Sequence, residues 1–331
     1  MKKHNKKCEL FTCAILLISV FCSVNLYSVS AQEAEPEAIN EDIFVDVPYG
    51  HPEYVAIKYL KEKGIIEGYV DGTYKPDQLV SRVEALKLIL IANSLITEEY
   101  VTNNMISGID HLKNIELVKF PDVYKSLWYF AYVKKALELN IISGFPDGTF
   151  KPGETVNRAE SLKMAMESDH LALTDAAENP FNDVSLDAWF AKYFQEAKNR
   201  QIVFVSMSNN VYPGKLMTRS TFAELVYRYI KSKEGYKYGG GTFYSDWFEN
   251  RGTSSGEPYQ ASELTAAHLT LPFNTMVRVT NLENGKSVDV KINDRGPFVT
   301  GRVIDLSRTA FEQIAYTGEG IIWVEYQVLT Q

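Results

Sequence analysis

The chain has 331 residues, 45% of them apolar and 23% charged, with 20 Tyr and 17 Phe against 4 Trp and a formal net charge of −8. That length exceeds what one hydrophobic core ordinarily serves, and that composition excludes a disordered or low-complexity chain. The negative balance excludes general affinity for nucleic acid, whose phosphates repel such a field.

Residues 1–31 read as an export signal. Lys2, Lys3, Lys6 and Lys7 precede an apolar run from Leu10 to Val24, and Val29-Ser30-Ala31 supplies a small-residue cleavage site. The run is shorter than the roughly 20 residues a membrane-spanning helix needs, so cleavage after Ala31 is expected rather than anchoring. Cys8, Cys13 and Cys22 all lie in this segment, and Cys22 follows Phe21 within the apolar run, a poor setting for lipid attachment. The mature chain is then without a thiol, so neither disulfides nor a thiolate nucleophile contribute. Four lysines and one glutamate leave with the signal, which moves the net charge from −8 to −11. No later stretch is apolar and long enough to cross a membrane. Residues 32–43 are an acidic mature N-terminus.

From residue 44 the chain repeats itself. Phe44-Val45-Asp46-Val47 recurs as Phe120-Pro121-Asp122-Val123. The same register carries Gly68-Tyr69-Val70-Asp71-Gly72-Thr73-Tyr74-Lys75-Pro76 onto Gly144-Phe145-Pro146-Asp147-Gly148-Thr149-Phe150-Lys151-Pro152, and Arg82-Val83-Glu84 onto Arg158-Ala159-Glu160. A third, eroded copy follows, in which Phe181-Asn182-Asp183-Val184, Trp189, Pro213 and Arg219 match Phe120 to Val123, Trp128, Pro152 and Arg158 at one constant shift. In it Val205 to Asn210 replaces the Gly-aromatic-x-Asp-Gly-Thr turn, and Thr221 stands where the other copies have Glu. Each unit predicts helix, turn, helix. In the first, Tyr54, Ile57, Leu60 and Lys61 have helical spacing and Gly64 ends the helix. Asp-Gly then turns the chain, and Ser81, Asn157 and Thr218 open second helices as N-caps. The units span 44–96, 120–170 and 181–232. Residues 97–119 are an insertion without a readable motif, 171–180 an acidic linker, and 233–241 a Lys-, Tyr- and Gly-rich hinge.

These motifs resemble the S-layer-homology domain across all three copies. The resemblance implies a mainly α three-repeat bundle that binds secondary cell-wall polysaccharide, of the kind often bearing pyruvylated sugars. Arg82, Arg158 and Arg219 sit at helix starts, where free amides would help them hold an anionic ketal. Their plainer use is pairing with Glu84, Glu160 or a neighbouring repeat. Asp71 and Asp147 in the turns complete the candidate polymer-binding set with Trp128 and Trp189, which stack on sugars or pack in the core.

From Gly241 the texture changes to short alternating strands at Thr275–Leu282, Ser287–Asn293, Val303–Leu306 and Ile321–Val328. Asn284-Gly285 predicts a hairpin between the first two. One helix is expected after Asp305 or Ser307, with Ala310, Phe311 and Ile314 on its apolar face. Thr253-Ser254-Ser255-Gly256-Glu257, Thr265-Ala266-Ala267-His268, Leu271-Pro272-Phe273, Val279-Thr280-Asn281, Asn293-Asp294-Arg295-Gly296-Pro297-Phe298 and Arg302-Val303-Ile304-Asp305-Leu306-Ser307 resemble, in order, the rare-lipoprotein-A family. Asn274 and Asn250 stand where that family usually has Gly. The resemblance implies a double-psi β-barrel over 242–331 and lytic transglycosylase activity on peptidoglycan, with Asp305 as proton donor. A useful acid needs apolar surroundings to raise its pKa, and Val303, Ile304 and Leu306 are candidate suppliers. A lytic transglycosylase needs one acid, because the muramic C6 hydroxyl attacks intramolecularly. Asp294, Glu257 and His268 are further catalytic candidates, and Arg295, Tyr244 and Arg302 substrate-binding ones. Asp294 and His268 have equally good structural uses, as a buried turn pin and a hydrogen-bonded framework histidine. No second His lies at ligand spacing, so no metal is expected, and no cofactor. An expansin-like glycan-binding module and a structural spacer are the competing functions.

Overall fold

The computed structural model describes residues 42–105 and 119–329. The expected signal peptide with its three cysteines, nearly all of the acidic N-terminus and most of the 97–119 insertion lie outside the described residues. Among the described residues no helix is long and apolar enough to cross a membrane.

Helices come in pairs: α1 (Tyr54–Glu62) with α2 (Arg82–Ala92), α4 (Phe130–Glu138) with α5 (Arg158–Glu167), and α6 (Ala191–Arg200) with α7 (Arg219–Lys233). A short α3 (Glu98–Asn104), capped by Thr97, begins the insertion. Ser81, Asn157 and Thr218 each accept from the backbone N–H three residues on, and the side chain there bonds back to the cap amide. Thr221 therefore keeps the reciprocal cap of its Glu counterparts, at the bond from the Thr218 amide to its Oγ1 (3.0 Å). The repeated Phe-x-Asp-Val has a similar local cause. Asp46 accepts from the amides of Tyr74 (2.7 Å) and Lys75 (2.8 Å), Asp122 from Phe150 and Lys151, and Asp183 from Val211 and Tyr212. Each pins the turn before the second helix, where Lys75, Lys151 and Tyr212 have positive φ.

The three units close into a ring. The Val80 amide donates to the Met217 carbonyl (3.0 Å), Met217 to Val156 (3.0 Å), and Val156 back to Val80 (3.1 Å). Around this hub α2, α5 and α7 pack pairwise over a core that includes Leu60, Leu86, Phe120, Phe150, Phe194 and Phe222.

The C-terminal strands β1 (Lys237–Phe243), β2 (Thr265–Ala267), β3 (Met276–Asn281), β4 (Ser287–Asp294), β5 (Arg302–Leu306) and β6 (Ile322–Val328) close a barrel in the order β1-β5-β2-β4-β3-β6. The pairs β1/β5 and β2/β4 are parallel and the rest antiparallel. Helix α8 (Arg308–Ile314), capped by Ser307, covers one side through Ala310, Phe311 and Ile314. This is the expected mainly α bundle followed by a small β-barrel.

The expected hinge at 233–241 is a correction. Helix α7 runs to Lys233, and β1 starts at Lys237 and is buried from Tyr238 to Thr242. Glycine serves close packing there: a Cβ on Gly239 would lie 2.3 Å from Cγ1 of Val303. Nor does flexible chain separate the bundle from the barrel. Tyr238 and Leu282 complete the bundle's core, the Tyr227 hydroxyl donates to Glu325 (2.8 Å), and Phe204 packs on Trp323 with ring centroids 4.6 Å apart.

Candidate functional site

Two β-bulges build the barrel site. Along β1 and β5, Gly240 pairs with Arg302 and Gly241 with Ile304, leaving Val303 as an extra residue. Residues three apart on a regular strand face opposite sides, and the bulge lets Arg302 and Asp305 share one. Between β2 and β4, Ala266 pairs with Ile292 and Ala267 with Asp294, so Asn293 is the extra residue and Asp294 is re-aimed. Ala267 also pairs with Asp305 on its other edge. The two carboxylates therefore flank one small residue on strands two apart, which separates their Cα atoms by about 10 Å.

The Asp305 carboxyl is held by one oxygen. Its Oδ1 accepts from Thr242 Oγ1 and Arg302 Nη2, and Oδ2 faces the floor formed by Gly296 and Ala267. A Cβ on Gly296 would lie 3.7 Å from that Oδ2, in ordinary contact with it. The side chain retains 18% of its exposure. Its expected apolar surroundings need correcting. Ile304 and Leu306 turn into the barrel core on the other face of β5, and the carboxyl meets a guanidinium and a hydroxyl instead.

Asp294 is fully engaged. Oδ2 accepts from the Tyr244 hydroxyl (2.7 Å), and Oδ1 from the Ser254 amide (2.8 Å), the Ser254 hydroxyl (2.6 Å) and the Arg295 amide (2.8 Å). Burial pushes its pKa up, but these hydrogen bonds outweigh that and hold it below the usual carboxylate value. Tyr244 is raised in turn, by burial first and by the Asp294 carboxylate second. Glu257 is also kept ionised, by Lys291 Nζ at 2.9 Å from both oxygens and by Asn293.

The catalytic reading of His268 needs correcting too. The residue is buried, its Nδ1 accepts from the amides of Thr270 (3.2 Å) and Leu271 (3.0 Å), and its Nε2 meets the Tyr326 hydroxyl at 2.9 Å. Burial, then Arg295, push its pKa down to about 4, so the ring is neutral at ordinary pH. Both nitrogens serve the framework, and the ring has no free atom for substrate. Arg295 lies over Phe273 at 3.8 Å and donates to the His268 carbonyl.

In the bundle each arginine crosses to the next unit. Arg82 donates to Glu160 (3.2 Å), Arg158 to the Val211 carbonyl, and Arg219 to the Tyr74 carbonyl (2.8 Å). The expected free amides at these helix starts are absent, because neighbouring units use them. The amides of Arg82, Arg158 and Arg219 donate to the carbonyls of Glu154, Lys215 and Gln78 at 2.7 to 3.0 Å. Asp71 and Asp147 likewise fold onto their own turns, each accepting from the amide (3.0 Å) and hydroxyl (2.6 Å) of Thr73 or Thr149. Trp128 and Trp189 are about half exposed rather than core residues.

Three equivalent grooves lie between units, each lined by the loop after a first helix, a second helix and the preceding unit's arginine. The groove with Arg219, Tyr69 and Lys87 encloses about 230 Å³, and that with Arg82, Phe145, Lys163 and Trp189 about 330 Å³. The third, with Arg158, encloses only about 30 Å³. There Glu224 occupies the Lys87 and Lys163 position and pairs with Arg228. Sequence reasoning missed these lysines, although the register of the repeats carries Lys87 to Lys163 and on to Glu224. It also missed Thr242, which lies next to the segment read as hinge and outside any predicted strand.

The architecture and both sites define a class. Residues 43–86 and 119–160 match the S-layer homology domain, and residues 241–326 match the lytic transglycolase family. The chain thus joins two S-layer homology repeats to a double-psi barrel of lytic-transglycolase type; the unit at 181–232 lies outside the matched segments. Among curated relatives, the endolytic peptidoglycan transglycosylase RlpA of Campylobacter jejuni is 35% identical over 158 residues, 44% of this chain and 58% of that protein. That of Pasteurella multocida is 48% identical over 106 residues, 31% of this chain and 36% of that protein. The probable endolytic peptidoglycan transglycosylase RlpA of Synechocystis is 53% identical over 85 residues, 26% of each. The chain therefore spans less than two thirds of the length of each of these relatives.

Proposed function

We propose that the protein is exported to a bacterial cell wall, where its barrel cleaves peptidoglycan glycan strands between N-acetylmuramic acid and N-acetylglucosamine while its repeats hold wall polysaccharide. The observation that carries the barrel reading is the part-exposed Asp305 carboxyl, with Oδ1 fixed by Arg302 and Thr242 and Oδ2 without a hydrogen-bond partner among the described residues. Oδ2 delivers its proton to the glycosidic oxygen, and the resulting carboxylate takes the proton of the muramic C6 hydroxyl as that oxygen closes on C1. Asp294, ionised and two strands away, supplies the negative field that favours positive charge at C1. Sacculi incubated with the protein should release 1,6-anhydromuropeptides detectable by mass spectrometry. Unchanged sacculi with retained binding would instead establish the expansin-like alternative.

Anchoring falls to the two larger grooves, where a lysine, a neighbouring unit's arginine and an aromatic ring converge. That set suits an anionic sugar, such as a pyruvyl ketal, and the third groove lacks it. Domain boundaries follow the same division: three units at 44–96, 120–170 and 181–232, the last a degenerate third copy. Lys87→Glu combined with Lys163→Glu should lower sedimentation of the full chain with walls at least tenfold. Wild-type protein should stop sedimenting once the walls are stripped of secondary polymer. Undiminished sedimentation of the double variant would refute the groove assignment.

A further inference from the structure

A fourth cavity, of about 200 Å³, lies where the third unit meets the barrel. Phe181, Lys198, Gln201 and Asn209 line it from the bundle, and Arg302 and Trp323 from the barrel. It is distinct from the grooves between units, and its chemistry is unusual for so acidic a chain: among the described lining residues none is Asp or Glu.

Its two cations are differently placed. Lys198 is exposed and lies 5.8 Å from the Phe181 ring, with no carboxylate within ion-pairing distance among the described residues. Arg302 gives Nη2 to Asp305, whereas its Nε is buried with no acceptor. A buried guanidinium N–H left unpaired is costly, and the Arg302 charge adds to that of Lys198 at the cavity wall. Trp323, fixed against Phe204, offers an aromatic wall, and the Gln201 and Asn209 amides supply neutral hydrogen-bonding groups. The volume is below that of drug-sized sites, so it accommodates one sugar residue rather than a strand.

We propose that this cavity binds a single carboxylate-bearing amino sugar, its carboxylate between Lys198 and Arg302, its ring against Trp323 and its acetamido group near Gln201 and Asn209. N-acetylmuramic acid has this chemistry, and its choice as ligand rests on the wall-directed reading above. The site is specific to the junction, because half of its wall belongs to each domain. It also shares Arg302 with Asp305, so its ligand reaches the residue that orients the proposed acid.

Isothermal titration of the full chain with N-acetylmuramic acid should give saturable binding, and N-acetylglucosamine, which lacks the lactyl carboxylate, should bind at least tenfold more weakly. Lys198→Glu should weaken N-acetylmuramic acid binding at least tenfold and Lys198→Arg should retain it, with wall sedimentation and anhydro-product release unchanged in both. Equal binding of the two sugars, absence of saturable binding, or unaltered binding by Lys198→Glu would overturn the proposal. Failure of the cleavage reading is separately visible, as absent anhydro products with sugar binding intact.

Discussion

Asp305→Asn should cut release of 1,6-anhydromuropeptides about a thousandfold, the middle of the range that a positioned general acid contributes. Asparagine keeps an oxygen to accept from Thr242 and Arg302, so it removes the transferable proton and changes little else. The ion pair is lost with it, but both donors to Oδ1 keep an acceptor in the asparagine oxygen. Wall sedimentation and the thermal midpoint should therefore stay near wild type. Glu257→Gln is the control: that carboxylate is more exposed and tied to Lys291, and turnover should fall less than tenfold. Turnover by Asp305→Asn within tenfold of wild type would remove Asp305 from the reaction.

What the sequence disclosed and what it hid divide along physical lines. The helix caps at Ser81, Asn157 and Thr218 and the hairpin at Asn284-Gly285 were legible because their hydrogen bonds close within a few residues. Strands β3 to β6 were legible because one face of each packs into the barrel and imposes alternation. Strand β1 was hidden, since its three glycines suggest a hinge and only residues far along the chain, Val303 against Gly239 and Val324 against Gly241, explain the close packing there. Strand β2 has three residues, too few for any period to show. In the site, residue types could be chosen from motifs, but their roles depend on partners far away in sequence. His268 is taken up by Tyr326, Asp294 by Tyr244 and Ser254, and the helix-start amides by other units. The third unit's altered turn also makes sense only in three dimensions. Phe204 packs at a tilt against Trp323, and the Val205 carbonyl lies 3.1 Å from where a Cβ on Gly301 would be, so the barrel sits where the standard turn would project.

Asp294→Ala should destabilise the protein by about 3 kcal/mol and abolish turnover, because it strips the acceptor from four donors at once. The Tyr244 hydroxyl, both Ser254 donors and the Arg295 amide all converge on that carboxylate, and together they fix the 253–257 loop against the end of β4. The pH dependence has a definite sign. The folded carboxyl ionises more readily than the unfolded one, so its stabilisation is complete above the unfolded value of about 4 and is lost as pH falls through the lower folded value. In urea unfolding the gap between wild type and variant should be constant from pH 7 to pH 5 and should narrow below about pH 4. Tyr244→Phe should remove part of the same energy, and combining the two changes should cost less than their sum, since both delete one hydrogen bond. A gap that widens on acidification would mean that the fold prefers Asp294 protonated, and the proton donor would then have to be sought there.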